Sequence, residues 1–491
     1  MPTLPCQLRV LRFDLRVLPM RTRFPFRYGI ASLTALPHLF VQVDLEIDGV
    51  PVRGVTSEGL PPKWFTKNPD TPNELDLAAM LAVIQNAVRL ATVLGRDPRT
   101  WYDLARELTA EQRLWAARHE HPPLLWHLGV SLVERALLDA ICKHLHTPLH
   151  AALRGPALGI RWSELHESLK DDEAPAFLAF PPANTVALRH TVGLADALVA
   201  TEIPEGERVA DGLPQALDEC IQAYGLRYFK IKLSGQTEPD RSRLAAITRL
   251  LVMHCSEQEQ DFQVTLDGNE NFKDISTFKA WYEELRRDPD LQPLMEAVLW
   301  VEQPLHRDQA LLPEVGTTLP AWTSAPPIII DESDGDDGCA AQALKLGYAG
   351  TSHKNCKGIL KALENASFIH AVGGILSGED LANVGPLPLT QDLAMQAILG
   401  VRHVERNGHH YFRGLSMYPE AVADGMAELH PDLYHRTEDG LVTLKVDGGE
   451  IAIGSVNAAP FGSAVDLSEV ISSLPTVKEW ILQGGMGALE E

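Results

Sequence analysis

Short apolar runs alternate with helix-patterned segments through the middle of the chain. The runs fall at 188–194, 227–232, 262–267, 297–302, 327–331, 350–354, 374–377 and 401–404. Helical periodicity is expected between them, near 214–224, 239–256, 275–287, 338–346, 358–371 and 389–399, with a shorter helix between 302 and 327. Strands buried on both faces read as near-continuous apolar runs, as these do. Eight strand–helix units in roughly 220 residues point to a closed α/β barrel of the TIM type; an open doubly wound sheet is the competing architecture.

The flanks have other patterns. Val41, Val43, Leu45 and Ile47 alternate with polar residues, Asp48-Gly49 is a hairpin signal, and 51–55 reads as the return strand. The stretches 21–32 and 57–65 read as loops. Residues 73–154 look helical, most clearly where Val133, Ala136, Leu137, Ala140 and Ile141 fall at i, i+3, i+4, i+7 and i+8. Pro156, Pro175, Pro181 and Pro182 mark a linker. The expected organisation is an α+β unit plus linker over 1–187, the barrel over 188–415 and a mixed tail over 416–491. In the tail, 440–446 reads as a strand and 476–483 as a short helix.

Polar residues close several of the apolar runs. Lys230 and Lys232, at i and i+2, share one face of their strand. Asp267, Glu302, Asp331 and Lys354 end later runs, at steps of 35, 35, 29 and 23 residues from Lys232. In a barrel these ends meet on the face where active sites lie. Three converging carboxylates repel one another and call for a cation; an all-oxygen set suits a hard ion such as Mg²⁺. Any one of them alone is more simply a helix cap or a solvated strand end, but one per unit between flanking lysines is a pattern. A lysine at its ordinary pKa is a poor base at neutral pH, so burial and cationic neighbours are expected to depress Lys232 and Lys354. His353 alternates away from the site and reads as structural, and Lys357 as a surface residue.

Composition narrows the classes. The 491 residues carry a net charge of −23, which argues against nucleic acid and anionic membranes as partners. The six cysteines include no CxxC pair, so no zinc ribbon or redox motif is indicated, and their scatter suits a reducing compartment. No signal peptide or continuous apolar span is evident, and no GxGxxG or GxxxxGK[ST] motif recommends a nucleotide site. A cytoplasmic location is expected.

The motifs KIKL, VTLDGNE, WVEQPL, IIIDES and HKNCKGI, in that order and spacing, resemble the enolase superfamily, in its mandelate racemase/muconate-lactonizing branch and the subgroup with a lysine on each side of the site. FRYGIAS, FVQVDLEIDG and SLVERALLDAICKHLHTPLHAAL resemble that family's capping domain. The resemblance implies an N-terminal α+β cap, a modified (β/α)7β-like TIM barrel and a C-terminal segment returning to the cap. It implies Mg²⁺, or Mn²⁺ in its place, on Asp267, Glu302 and Asp331, with Asn269 supporting the metal. It further implies Lys232 and Lys354 as the acid/base pair, Lys230 as a contact to a small-molecule carboxylate substrate, substrate-closing loops at 21–32 and 57–65, and a homo-oligomer. The implied reaction abstracts the proton α to a carboxylate, giving racemisation, epimerisation or cycloisomerisation. A dehydratase fits less well for want of an evident His-Asp pair. The rival outside enzymes is a barrel that has lost activity and serves in binding. Only Gly358 follows Lys354 where the family usually has two glycines, and DESDGDDG is unusually acidic.

Overall fold

The structure, a computed structural model, describes residues 4–28, 31–258 and 261–487. Eight parallel strands form the centre: Thr185–Val192, Tyr228–Lys232, Gln263–Asp267, Val298–Glu302, Ile328–Ile330, Gly350–His353, Ile375–Gly378 and His403–Arg406. Each pairs with the next, and His403–Arg406 pairs in parallel with 187–190, so the sheet closes on itself. The open-sheet alternative is thereby excluded. Gly350 shows how tightly the ring is drawn, because a Cβ there would lie 1.8 Å from the Ile375 carbonyl oxygen.

The cap is a three-stranded antiparallel sheet of Leu8–Leu18, His38–Ile47 and Val50–Gly59, backed by helices Asn73–Leu94, Trp101–Arg118 and Pro123–His144. The alternation at 41–47 buries Val41, Val43, Leu45 and Ile47 beneath these helices. Helix Asn73–Leu94 is long and apolar enough by composition to cross a membrane. Its Leu77, Met80, Val83, Ile84 and Ala87 are buried in the cap core.

Two expected loops are ordered elements. Residues 21–28 and 31–35 pair as an antiparallel hairpin, whose tip at 29–30 lies outside the described residues. The stretch 57–65 splits into the end of strand Val50–Gly59 and a short helix, Pro62–Thr66. The hairpin and the strand end are ordered by pairing across the chain, which the local Gly and Pro content does not reveal: Arg21 aligns with Ala35, and Gly59 with His38.

The cap sits directly on the barrel. Thr56 Oγ1 donates to Gln391 Oε1 at 2.5 Å, and Ser131 Oγ of the long cap helix donates to the Asn355 carbonyl oxygen. Glu134 Oε2 on the same helix accepts from the Ile359 N–H at 2.6 Å, at the start of helix Ile359–Val372. The tail returns as well. Strand Glu450–Ala452 adds antiparallel to the outside of Thr185–Val192, and helix Val477–Leu482 follows a bridge from Thr476 to Arg16 of the cap.

Candidate active site

The alternation of strand Tyr228–Lys232 sends both lysines into the barrel, where they are almost wholly buried. Lys230 Nζ touches four carboxylates: Glu302 at 2.8 Å, Glu405 at 2.8 Å, Glu379 at 2.9 Å and Asp267 at 3.0 Å. Lys232 Nζ lies 2.6 Å from Asp267 Oδ2. Across the ring Lys354, just past strand Gly350–His353, donates to Asp331 Oδ1 and Glu379 Oε2, both at 2.7 Å. All eight groups lie at or just beyond strand ends on one face.

The structure thus brings Lys230, Lys232, Asp267, Glu302, Asp331 and Lys354 to one place. Asn269 is there too, lining the same pocket; its backbone N–H donates to Asp267 Oδ1 at 2.9 Å. Glu379 and Glu405 are additions that the apolar runs missed. Glu379 follows strand Ile375–Gly378 by one residue, and Glu405 lies inside strand His403–Arg406, one residue past the apolar run 401–404. The rule that found Asp267, an acidic residue at a strand end, applies equally to both.

Lys357 corrects the sequence reading. It is buried, and its ammonium lies 2.9 Å from Asp331 Oδ1 and donates to the Asp331 and Ser352 carbonyl oxygens. The turn Asn355–Lys357 points it back beneath the site, which a surface assignment from helix position could not foresee. His353 is buried against Asn355 Oδ1 at 3.0 Å, away from the carboxylates.

The electrostatics correct a second expectation. Burial works to neutralise Lys232 and Lys354, but facing carboxylates outweigh it and hold both above the ordinary lysine value. Asp267 and Glu379 are drawn upward by burial yet end below the ordinary carboxylate range because of Lys230 and its neighbours. Glu302 goes the other way: burial and the Glu379 charge push it well above its usual range. Glu332 behind it is pushed up to about 8 by burial and Asp331. The cluster gathers six acidic side chains, Asp267, Glu302, Asp331, Glu332, Glu379 and Glu405, around five cationic ones, Lys230, Lys232, Lys354, Lys357 and Arg189.

A divalent cation fits that imbalance. Glu302 Oε2 is buried and has no hydrogen-bond partner. Oxygens of Glu302, Asp331 and Glu379 lie within 4.8 Å of one another. This close trio differs by one member from the set Asp267, Glu302 and Asp331: Glu379 stands in it where Asp267 was expected. The donors are all oxygens, the set that suits a hard cation.

Above the charges the lining turns apolar. Phe26, Leu33 and Leu36 of the hairpin region, Trp64 of the short helix, and Leu381 close over Lys232 and Lys354. The Trp64 ring centre is 5.1 Å from Lys354 Nζ. The cavity between them is small, about 50 Å³.

No family model matches the sequence, and no curated protein matches it. Solved structures do match the fold. A mandelate racemase/muconate lactonizing protein from Herpetosiphon aurantiacus superposes with a TM-score of 0.60 at 16% identity, covering 95% of this chain and 99% of that one. A dipeptide epimerase from Enterococcus faecalis, complexed with Mg and a dipeptide, gives 0.61 at 15% identity over 92% and 99%. A 2-chloromuconate cycloisomerase from Rhodococcus opacus gives 0.60 at 14% over 95% and 100%. The fold is that of the mandelate racemase/muconate lactonizing proteins.

Proposed function

We propose that the chain is a Mg²⁺-dependent enzyme of the enolase superfamily that removes the proton α to a substrate carboxylate, and that it acts as a racemase or epimerase. One observation carries the reading: Lys232 and Lys354 line one pocket from the second and sixth strands of an eight-stranded ring, so they stand on opposite sides of it. The structural relatives named above include an epimerase and a cycloisomerase, which keeps cycloisomerisation as the second reading.

Glu302, Asp331 and either Asp267 or Glu379 would hold the cation, with the Asn269 N–H fixing the Asp267 carboxylate. When bound, the cation supplies a Lewis acid that stabilises negative charge on the substrate carboxylate oxygens. With a cation held there, Lys232 and Lys354 would share the carboxylates that now hold them protonated. Lys232 faces one side of a planar substrate centre and Lys354 the other, so one removes the α-proton while the other returns it. Lys230, reaching into the same pocket, steadies the charge that develops on the substrate. Trp64 and the 21–35 hairpin exclude water while the proton is in transit.

The test is α-proton exchange in D₂O with Mg²⁺ across acidic sugars, N-acylamino acids and dipeptides. A racemase or epimerase loses exchange from one stereoisomer in Lys232→Ala and from the other in Lys354→Ala. A cycloisomerase leaves one lysine governing all exchange. Equal exchange in both variants means neither lysine is the base.

A further inference from the structure

A second cluster of ligating side chains lies beside the seam where the first and last barrel strands pair. His190 comes from strand Thr185–Val192, Cys220 from the crossover helix Leu217–Tyr224, and His409 and His410 from the turn Gly408–Tyr411 after the last strand. All four are buried. Ligand atoms of His190, Cys220 and His410 lie within 4.8 Å of one another. None of these residues takes part in the chemistry proposed above.

The distances suit a tetrahedral ion. Cys220 Sγ is 3.6 Å from His410 Nδ1. Zinc bonds of about 2.3 Å to sulfur and 2.0–2.1 Å to nitrogen set sulfur and nitrogen about 3.6 Å apart at the tetrahedral angle. His190 Nδ1 is 3.1 Å from His409 Nε2, a hydrogen bond between two imidazoles that fixes the His190 ring. Ligating histidines are commonly held in this way through their second nitrogen. Beside the cluster, His409 Nδ1, in a residue only 5% exposed, has no hydrogen-bond partner. A buried polar atom without a partner is unusual in a finished core.

We propose that His190, Cys220 and His410 bind a structural, borderline-soft divalent ion of the Zn²⁺ type, with His409 either orienting His190 or turning to complete the tetrahedron. The sulfur and imidazole donors separate this site from the all-oxygen mouth, which prefers a hard ion. Its place gives it a purpose. It joins the first strand and the first crossover helix to the segment after the eighth strand, which meets them only when the barrel closes. The next residue, Thr191, donates to Glu405 Oε1 at 2.6 Å, and Glu405 holds Lys230, so the clamp also steadies one wall of the carboxylate cluster. Arg23 of the cap hairpin donates to the His410 carbonyl oxygen at 2.7 Å, and the Phe24 ring meets the His410 imidazole edge-on at 5.0 Å.

The experiment strips the full-length protein with a chelator, saturates it with Mg²⁺, and titrates in Co²⁺. The expected result is one tightly held Co²⁺ with a sulfur-to-cobalt charge-transfer band and the intense visible bands of a tetrahedral centre. Zn²⁺ should displace it and raise the melting temperature. Cys220→Ser should lose the charge-transfer band, and His410→Gln should weaken binding at least tenfold. Glu302→Gln, which damages the hard-ion site, should leave the spectrum unchanged, so this result is independent of the α-proton chemistry. Two outcomes overturn the proposal: no charge-transfer band in the folded wild type, or an unchanged band in Cys220→Ser. Should Cys220→Ser not fold, the wild-type spectrum and the zinc effect on wild-type melting decide alone. A hydrogen-bonded core without metal shows neither.

Discussion

Lys230→Met removes the one ammonium that touches four carboxylates while keeping the side chain's length and apolar stem. At about 3 Å and an effective dielectric near 20, one such pair is worth roughly 5 kcal/mol before desolvation. Burying the ammonium offsets several kcal/mol of the sum. Breaking a buried network by deleting one partner generally costs about 3–5 kcal/mol, and that is the loss expected in urea unfolding with chelator present. The loss should depend on pH. In the wild type the ammonium holds Asp267 and Glu379 below their ordinary range, which contributes stability above the unfolded carboxylate pKa and loses it as pH falls. In the variant those groups shift upward, so their contribution turns unfavourable as pH rises. The deficit should therefore be small near pH 4 and widen to pH 8. Mg²⁺ should recover more stability in the variant than in the wild type, because the carboxylates have lost their competing cation. A deficit under about 1 kcal/mol at pH 8, or one that does not change with pH, would refute the account of Lys230 as the cluster's counter-charge.

Glu302→Gln should weaken Mg²⁺ binding at least tenfold by calorimetry while leaving far-ultraviolet circular dichroism unchanged, because Glu302 Oε2 has no protein partner to lose. Glu134 is fully buried and pushed up to about 7, chiefly by burial. An acid raised on folding loses stability as pH climbs from its unfolded value through about 7, by up to about 3 kcal/mol; Glu134→Gln should thus be the more stable protein at pH 8 and show no advantage at pH 4 in urea titrations. Gly350→Ala should fail to yield soluble barrel, or lose more than about 3 kcal/mol, since its Cβ would collide with the Ile375 carbonyl; normal expression and melting would contradict that geometry. Trp64→Ala should leave the fold intact but speed solvent exchange at the site, by uncovering Lys354.

Much of this protein was legible in the order of its residues. The apolar runs placed the eight strands to within a few residues, because a strand buried on both faces must be apolar along its length. Strand alternation put Lys230 and Lys232 on one face, and the spacing of Asp267, Glu302, Asp331 and Lys354 put one charge on each successive unit. The 21–35 hairpin and helix Pro62–Thr66 were not legible. The hairpin depends on cross-chain partners such as Ala35, and the helix follows a strand end held by His38; no local signal encodes either. Lys357 failed for a similar reason: its chemistry is set by a turn that aims it at Asp331.

What only the tertiary structure decided is how charges balance. Sequence spacing established that acids and lysines converge. It could not establish that Lys230 stands among four carboxylates, that Glu379 joins Glu302 and Asp331 more closely than Asp267 does, or that facing carboxylates raise the lysines' pKa values against burial. Nor could it bring His190, Cys220 and His410 together, since 220 residues separate the outer two along the chain. Periodicity is a local property, carried by neighbours three or four residues apart. Coulomb energy and ligand geometry depend on distances of a few ångströms across the ring, and those exist only once the barrel has closed.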